Sequence, residues 1–207
     1  MNTFQLSGVA RTDTGKKAAK ADRAAGRIPC VIYGRQGVTH FTVTHGDVRK
    51  LIFSPNFSVV ELNVNGTDSR AILKDVQYHP TTEAIEHIDF LMLEDDYAIK
   101  ANIPLRTKGV SPGVKAGGRL VQSVRTIKVK TKPEQLVDEL FVDISGLALG
   151  DAIRVRDIEV PEGVKIMTNP AVPVALIEIP RALRSASTAA AKAGETANEP
   201  EAEAAEA

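Results

Sequence analysis

Four cations at helical spacing form the first group whose pattern indicates a chemistry. They follow one another at intervals of four, three and four residues: Lys16, Lys20, Arg23 and Arg27. In a helix over residues 14–27 they share an arc of roughly 60°. The opposite face carries alanines that would lie against a sheet: Ala18, Ala21 and Ala25. Such a row can contact successive backbone phosphates, and the alternative is a charged face that meets only water.

A second group combines amide, imidazole and carboxylate side chains. Its members lie in two neighbouring segments: Gln77, His79, His87 and Asp89. In a strand, His87 and Asp89 share one face, while the apolar residues that alternate with them point towards the core. Such polar groups can read base edges and 2′-hydroxyls. The alternative is a hydrogen-bonded His–Asp pair with a purely structural role.

One enzyme motif occurs in residues 109–113, which fit the Gly-x-Ser-x-Gly string of hydrolase nucleophile elbows. An elbow needs a helix after the serine and a histidine base, whereas glycines follow Ser111 and no histidine lies downstream of it. The four histidines also lack a spacing suited to a metal. We therefore expect no enzyme, cofactor, metal site or small-molecule substrate, and a hydrolase acting through Ser111 is only a distant alternative.

The elements that would position these groups are mostly strands. Alternating apolar residues mark strands throughout the chain, and residues 121–129 read as one of them. The dipeptide Asn65-Gly66 is typical of a hairpin turn. Thr44 and Asp47 have the spacing of a capping box before a second short helix.

Changes in composition divide the chain into three parts. The acidic run at residues 94–96 precedes a fresh alternating strand, and the second half is almost entirely β in pattern. From residue 185 to the end there are ten alanines, five glutamates and no large apolar residue, so this segment cannot form a core. The sequence predicts a mainly β protein with a first domain at 1–94, a separate β-rich C-terminal domain at 95–181 and a disordered acidic tail at 182–207.

The net charge is zero because 26 basic residues balance 26 acidic ones, but the charges lie in blocks. Residues 1–50 hold nine basic and three acidic side chains, and residues 51–96 hold two and nine. Residues 97–132 hold nine basic side chains and no acidic one. Basic blocks suit a polyanion partner. The second basic block would touch neighbouring RNA, or it would face solvent and acidic neighbours.

The expected compartment follows from what the chain lacks. The start has no basic and apolar regions of a secretion signal, and no stretch approaches eighteen apolar residues. The single cysteine, Cys30, excludes an intramolecular disulfide. We expect a cytoplasmic protein that does not enter a membrane.

Several ordered motifs resemble one bacterial family. In the first half they are Arg11, Gly15-Lys16, Lys20, Arg23 to Pro29, Val31 to Gly34, Asp75-Val76-Gln77, His79-Pro80 and His87 to Phe90. In the second half they are Ser111 to Lys115 with Gly117-Gly118, Val142 to Leu147 and Pro161 to Val164. Over residues 1–181 the chain resembles the bacterial large-subunit ribosomal proteins that bind 5S ribosomal RNA, in the longer two-domain form known as the general stress protein Ctc family.

This resemblance implies a first domain built as a six-stranded β-barrel with short helices. It implies that the RNA target is loop E of 5S ribosomal RNA, met from its minor-groove side in the central protuberance. The residues implied on phosphates and 2′-hydroxyls are Arg11, Lys16, Lys20, Arg23 and Arg27. The residues implied as shape and base readers are Tyr33, Gln77, His79, His87 and Asp89. Lys20 stands where the family often has arginine, which favours a single-point over a forked phosphate contact.

The sequence as a whole predicts a non-enzymatic, ribosome-associated structural protein. Its expected partners are 5S ribosomal RNA, the large ribosomal subunit and neighbouring ribosomal proteins. The alternative from another class is a stress-related protein-interaction or chaperone-like module that uses the second domain and the acidic tail.

Overall fold

Strands dominate the chain in a computed structural model that describes residues 2–35 and 37–181. The tail at residues 182–207 lies outside the described residues. The first half contains β1 (Thr3–Ala10), α1 (Lys16–Ala24), β2 (Arg27–Gly34), β3 (Gly37–Thr44), α2 (His45–Ile52), β4 (Val59–Val64), β5 (Thr67–Tyr78) and β6 (Ile85–Met92). The second half contains β7 (Ile99–Lys108), α3 (Pro112–Lys115), β8 (Arg119–Gln122), β9 (Thr126–Thr131), β10 (Leu140–Asp143), β11 (Ala152–Arg154), β12 (Lys165–Ile166) and β13 (Pro173–Glu178).

The first six strands form a closed barrel in the order β1-β3-β2-β6-β5-β4. β1 pairs with β4 and β2 pairs with β6 in parallel, while the other neighbouring strands are antiparallel. Closure leaves the sheet without an unpaired edge strand. The predicted mainly β protein with a six-stranded barrel and short helices is confirmed.

The barrel interior is filled by apolar residues that alternate along its strands. Phe41 and Phe90 are fully buried there, with ring centroids 5.8 Å apart. A Cβ atom added to Gly8 would lie 2.6 Å from Cδ2 of Phe41, so the Phe41 ring fits because residue 8 is glycine. Cys30 is also buried, and this burial raises the pKa of its thiol, with Asp89 raising it further.

Local turn chemistry explains the β4–β5 hairpin but not the start of α2. Asn65 and Gly66 have φ angles of 51° and 86°, as a tight hairpin turn requires, and this prediction is confirmed. α2 begins directly after Thr44, but the Thr44 side chain makes no capping hydrogen bond. The predicted capping box is therefore wrong. Thr44 is also the last residue of β3 and the Cα partner of Arg27, so strand pairing constrains it.

The second half forms two sheets, with strand orders β10-β7-β9-β12 and β11-β13-β8. Residues 121–129, predicted as one strand, are divided between these sheets, because β8 belongs to one and β9 to the other. The break lies where the amides of Ser123 and Val124 both donate to the carbonyl of Val174, at 2.9 and 3.3 Å. Two amides that bond one carbonyl cannot continue a regular strand ladder.

The chain divides into two compact units. The first consists of residues 1–106, 125–141 and 159–169, and it contains the barrel and most of the four-stranded sheet. The second consists of residues 107–124, 142–158 and the described residues from 170 to 181, and it contains the three-stranded sheet. The boundary between residues 94 and 95 remains a prediction from the sequence.

Candidate nucleic-acid interface

α1 packs beside β2 with one narrow face partly buried. The partly buried positions on the helix are Ala18, Ala19 and Asp22. The exposed positions include the cations Lys16, Lys20 and Arg23. The expectation that Ala21 and Ala25 face the sheet is wrong, because both are exposed and Ala25 lies past the end of the helix.

Glycines bound α1, which is shorter at both ends than the helix predicted over residues 14–27. Gly15 precedes it with a φ of 113°, and Gly26 follows it with a φ of 73° and donates its amide to the Arg23 carbonyl at 3.1 Å. The chain then enters β2 at Arg27, which stays exposed. We call these four cations the cation row. Lys16, Lys20 and Arg23 lie on the helix, and Arg27 lies on β2.

Arg23 ties the helix to β6. Its Nε donates to the backbone carbonyl of Glu86 at 3.1 Å, and the Arg23 side chain remains exposed. Because Glu86 directly precedes His87, this bond brings the cation row close to the second group of polar residues. The two bonded residues are 63 positions apart, so no local sequence pattern could indicate this contact.

Arg11 occupies a different environment from the other predicted phosphate contacts. Its Nε lies 3.0 Å from Oδ2 of Asp22, and the two side chains are only 11% and 25% exposed. The Arg11 amide also donates to the His40 carbonyl at 2.9 Å. Arg11 therefore holds α1 through Asp22, and little of its side chain is left exposed for contact with a phosphate.

The antiparallel pairing of β5 and β6 brings the polar readers together on the outer face of the barrel. Gln77 is the Cα partner of His87, and Asp75 is the Cα partner of Asp89. We call these four residues the polar patch. Asp75 was not among the predicted site residues, although the alternation that carries Gln77 to this face carries Asp75 there too.

His87 and Asp89 form the centre of the polar patch. Nδ1 of His87 lies 2.7 Å from Oδ1 of Asp89, and the side chains are 26% and 27% exposed. A carboxylate only accepts hydrogen bonds, so Nδ1 carries the proton in this contact. When the imidazole is neutral, its Nε2 is left as a hydrogen-bond acceptor.

His79 lies in the turn between β5 and β6. Its Nδ1 accepts hydrogen bonds from the amides of Thr81 and Thr82, both at 3.4 Å, and lies 3.1 Å from the Thr81 hydroxyl. The backbone amide of His79 donates to the Ala84 carbonyl at 2.8 Å. Since Nδ1 accepts from these amides, the proton of the neutral ring is on Nε2. His79 thus shapes the turn and retains a donor at its other nitrogen.

Tyr33 lies on β2, which is the neighbour of β6 in the barrel. Burial raises the pKa of its phenol, and the carboxylates of Asp89 and Asp75 raise it further. The hydroxyl therefore stays protonated near neutral pH and can both donate and accept. Val31 is the Cα partner of Asp89, and Tyr33 follows two residues later on the same face of β2, which places it close to the polar patch.

The hydrolase-like motif has a structural role. Ser111 is fully buried, its hydroxyl donates to the Leu147 carbonyl at 2.6 Å, and its oxygen accepts from the Gly113 amide at 3.1 Å. It caps α3 and cannot reach a substrate. Among the described residues, no group of three or more His, Cys, Asp or Glu side chains is arranged to hold a metal ion. No helix within residues 2–35 and 37–181 is long and apolar enough to cross a membrane.

Comparisons with known proteins match the chain over both halves. The model of the ribosomal L25p family matches residues 6–90, and the model of the C-terminal domain of ribosomal protein TL5 matches residues 98–181. The large ribosomal subunit protein bL25 of Cytophaga hutchinsonii is 38% identical over 192 residues, which cover 93% of this chain and 100% of that protein. The chain belongs to the ribosomal L25p family.

Further relatives in this family are similar over nearly their whole length. The bL25 protein of Porphyromonas gingivalis is 42% identical over 90% of this chain and 97% of its own, and that of Parabacteroides distasonis is 40% identical over 90% and 98%. Membership confirms the prediction of a bacterial large-subunit ribosomal protein that is structural and not an enzyme. A cytoplasmic, ribosome-associated location follows from the same membership, which does not favour the chaperone-like alternative.

Proposed function

We propose that this structural constituent of the large ribosomal subunit binds 5S ribosomal RNA, at loop E and from the minor-groove side, within the central protuberance. The outer face of β2, β5 and β6 would meet the groove, and the cation row of α1 and β2 would meet the backbone. Family membership supports the ribosomal role, and the arrangement of charge on the barrel supports the mode of binding.

One observation carries this proposal. The hydrogen bond from Arg23 to the Glu86 carbonyl holds the cation row beside the polar patch, and that patch contains two acidic side chains. The patch contains Asp75 and Asp89, whose carboxylates repel phosphates and accept hydrogen bonds. A matching RNA surface has phosphates at its side and donor groups at its centre. The shallow minor groove of RNA has this form, because 2′-hydroxyls and base edges lie between two backbones.

Each predicted residue then has a role set by its surroundings. The exposed cations Lys16, Lys20, Arg23 and Arg27 would contact phosphates. The readers of hydroxyls and base edges would be Tyr33, Gln77, His79, His87 and Asp89, joined by Asp75. Arg11 would act indirectly, because its ion pair with Asp22 fixes the orientation of the helix.

A filter-binding titration with 5S ribosomal RNA over a salt series tests the phosphate contacts. Four contacts should give a log-log salt slope of roughly −2.8 to −3.6, at about 0.7 to 0.9 per contact. Arg23→Ala should cost on the order of 1 to 3 kcal/mol of binding free energy. Lys17→Ala is the matched control, because Lys17 is an exposed cation of the same helix about 90° away from the row. Equal losses from both variants would rule out a specific role for the row.

The reading of 2′-hydroxyls has a separate test on the RNA side. A 5S ribosomal RNA assembled with 2′-deoxynucleotides in one strand of loop E keeps every phosphate and base. If the polar patch reads hydroxyls, this RNA should bind more weakly to the wild type, and Asp89→Ala should remove most of that difference. An unchanged affinity for the deoxy RNA would contradict minor-groove reading while leaving phosphate binding intact.

A further inference from the structure

We propose that the exposed face of the sheet formed by β7, β9 and β12 is a second RNA-binding surface, which holds the phosphate backbone of a double-helical RNA segment outside the barrel's own site. The proposal rests on the proposed ribosomal function, because that function supplies the polyanion. The proposed surface would bind RNA through the basic block at residues 97–132, which takes no part in the barrel interface.

Strand register places three lysines side by side on this face. Lys100 of β7 is the Cα partner of Lys130 of β9, and Lys130 is the Cα partner of Lys165 of β12. All three side chains are exposed, while Ile99, Ala101 and Val129 on the other side of the sheet are buried. We call Lys100, Lys130 and Lys165 the lysine ladder. All of it belongs to the first compact unit.

Further cations extend the lysine ladder. Lys128 and Lys132 flank Lys130 on β9 and just beyond it, on the same exposed face and roughly 7 Å away along the strand. The Nζ of Lys74, on the barrel, donates a hydrogen bond to the Lys100 carbonyl at 3.0 Å. This contact places a further ammonium group next to Lys100. The ladder is therefore a broad basic surface.

The ladder has an energetic cost in the free protein. Like charges directly opposite one another on neighbouring strands repel and destabilise a sheet. Within residues 2–35 and 37–181, no ion pair to a carboxylate offsets the charge of Lys100, Lys130 or Lys165. A partner that brings several negative charges to this face would relieve the repulsion, and a row of backbone phosphates does so.

The composition of the face favours duplex backbone over single-stranded RNA. The exposed positions of β7, β9 and β12 carry lysine, asparagine, arginine and threonine. On the described strands of this sheet the one aromatic ring is the exposed Phe141 of β10, too few for a stacking platform. Single-strand platforms need rings on which bases stack. Lysine presents a point charge on a flexible stem, which suits phosphate contact without sequence readout.

The test compares two triple variants of the full chain. K100Q/K130Q/K165Q removes the lysine ladder, and K17Q/K50Q/K115Q removes three exposed lysines elsewhere for the same change in net charge. Binding to a generic RNA duplex of about 20 base pairs is measured over a salt series. The ladder variant should lose at least about tenfold in affinity at low salt, and its log-log slope should fall by about 2 to 3, from three lost contacts. The control variant should lose clearly less.

A melting curve of the free protein provides an independent readout. The ladder variant should melt at a higher temperature than the wild type at low salt, and the difference should shrink at high salt because salt screens the repulsion. Equal effects of both triple variants on duplex binding would overturn the proposal. So would tight capture of a polyglutamate peptide that the duplex cannot displace, because it would point to an acidic protein partner.

The two proposals fail separately. If the barrel does not bind 5S ribosomal RNA, the wild type will bind it no better than a generic duplex, and Arg23→Ala will have no specific effect. If the ladder proposal alone is wrong, Arg23→Ala will still weaken 5S ribosomal RNA binding, while the ladder variant will bind the generic duplex as well as the control variant does.

Discussion

Two histidines of the candidate interface have opposite hydrogen-bonding character. The Nδ1 proton of His87 goes to Asp89, so the neutral ring offers an acceptor, whereas Nδ1 of His79 accepts from the Thr81 and Thr82 amides, so that ring offers a donor. A 2′-hydroxyl both donates and accepts, and such a pair of rings can meet either role. The hydrogen-bonding surroundings of each histidine thus determine what it can recognise.

His87 provides a test at this scale. His87→Ala should weaken 5S ribosomal RNA binding by about 1 to 2 kcal/mol, because a reading group is lost. His87→Gln should keep more of the affinity, because its amide can present an acceptor near the position of Nε2. The two affinities are compared at one salt concentration. Identical affinities for the two variants would show that the ring position makes no hydrogen bond to RNA.

Arg11 should act on stability more than on direct RNA contact. Arg11→Ala breaks a mostly buried ion pair and leaves Asp22 without its partner, so we expect a loss of about 1 to 3 kcal/mol in the free energy of unfolding. Removing Asp22 as well should restore part of this loss. Urea denaturation measures both effects. An Arg11→Ala variant as stable as the wild type would mean that the pair does not hold α1.

The turn after β10 predicts a pH dependence of stability. The hydroxyl and amide of Ser145 donate to Asp143 at 2.6 and 2.9 Å, and these bonds lower the pKa of its carboxyl. A lowered pKa in the folded state contributes stability above the ordinary aspartate range, and this stability is lost as the pH falls through the folded pKa. The melting temperatures of wild type and Asp143→Ala should therefore converge towards acid pH. Ser145→Ala should raise the Asp143 pKa in an NMR titration, and an unmoved pKa would contradict the assignment.

At the scale of elements, the packing of β1 against β3 depends on a glycine. Gly8→Ala would place a methyl group against the Phe41 ring, and we expect a loss of about 1 to 3 kcal/mol in the free energy of unfolding. Adding Phe41→Leu should recover part of that loss. Gly46→Ala on α2 is the matched control, because a Cβ there meets no atom within 4 Å. A Gly8 variant no less stable than the control would show that the barrel can shift to accommodate the methyl.

The elements also show how far sequence patterns reach. The β4–β5 hairpin was predictable because Asn65-Gly66 specifies its turn locally. The buried faces of β4 and β6 were predictable because their apolar residues alternate. The division of residues 121–129 depends on the Val174 carbonyl, about 50 residues away, and α1 ends early because Gly26 turns the chain into β2. Burial of Arg11 against Asp22 was also beyond local pattern. The strand break and the burial of Arg11 depend on residues distant in sequence, whereas the end of α1 follows from a local glycine.

At the scale of the whole molecule, a net charge of zero conceals separate surfaces. The cation row lies beside an acidic polar patch on the barrel, and the lysine ladder lies on the sheet of β7, β9 and β12. A protein that bound RNA only by electrostatic attraction to its phosphates would bind any polyanion. This protein should distinguish RNAs by the shape and groups of a groove, because its reading surface contains carboxylates.

The most direct test of RNA reading by the barrel is the affinity for 5S ribosomal RNA with and without its irregular loop E. The comparison RNA replaces loop E by a regular Watson–Crick duplex of the same length and keeps the number of phosphates. If the barrel reads loop E, the wild type should bind natural 5S ribosomal RNA at least about tenfold more tightly, a difference of about 1.4 kcal/mol. Arg23→Ala should weaken mainly this tighter binding. Equal affinity for the two RNAs would contradict the reading of loop E.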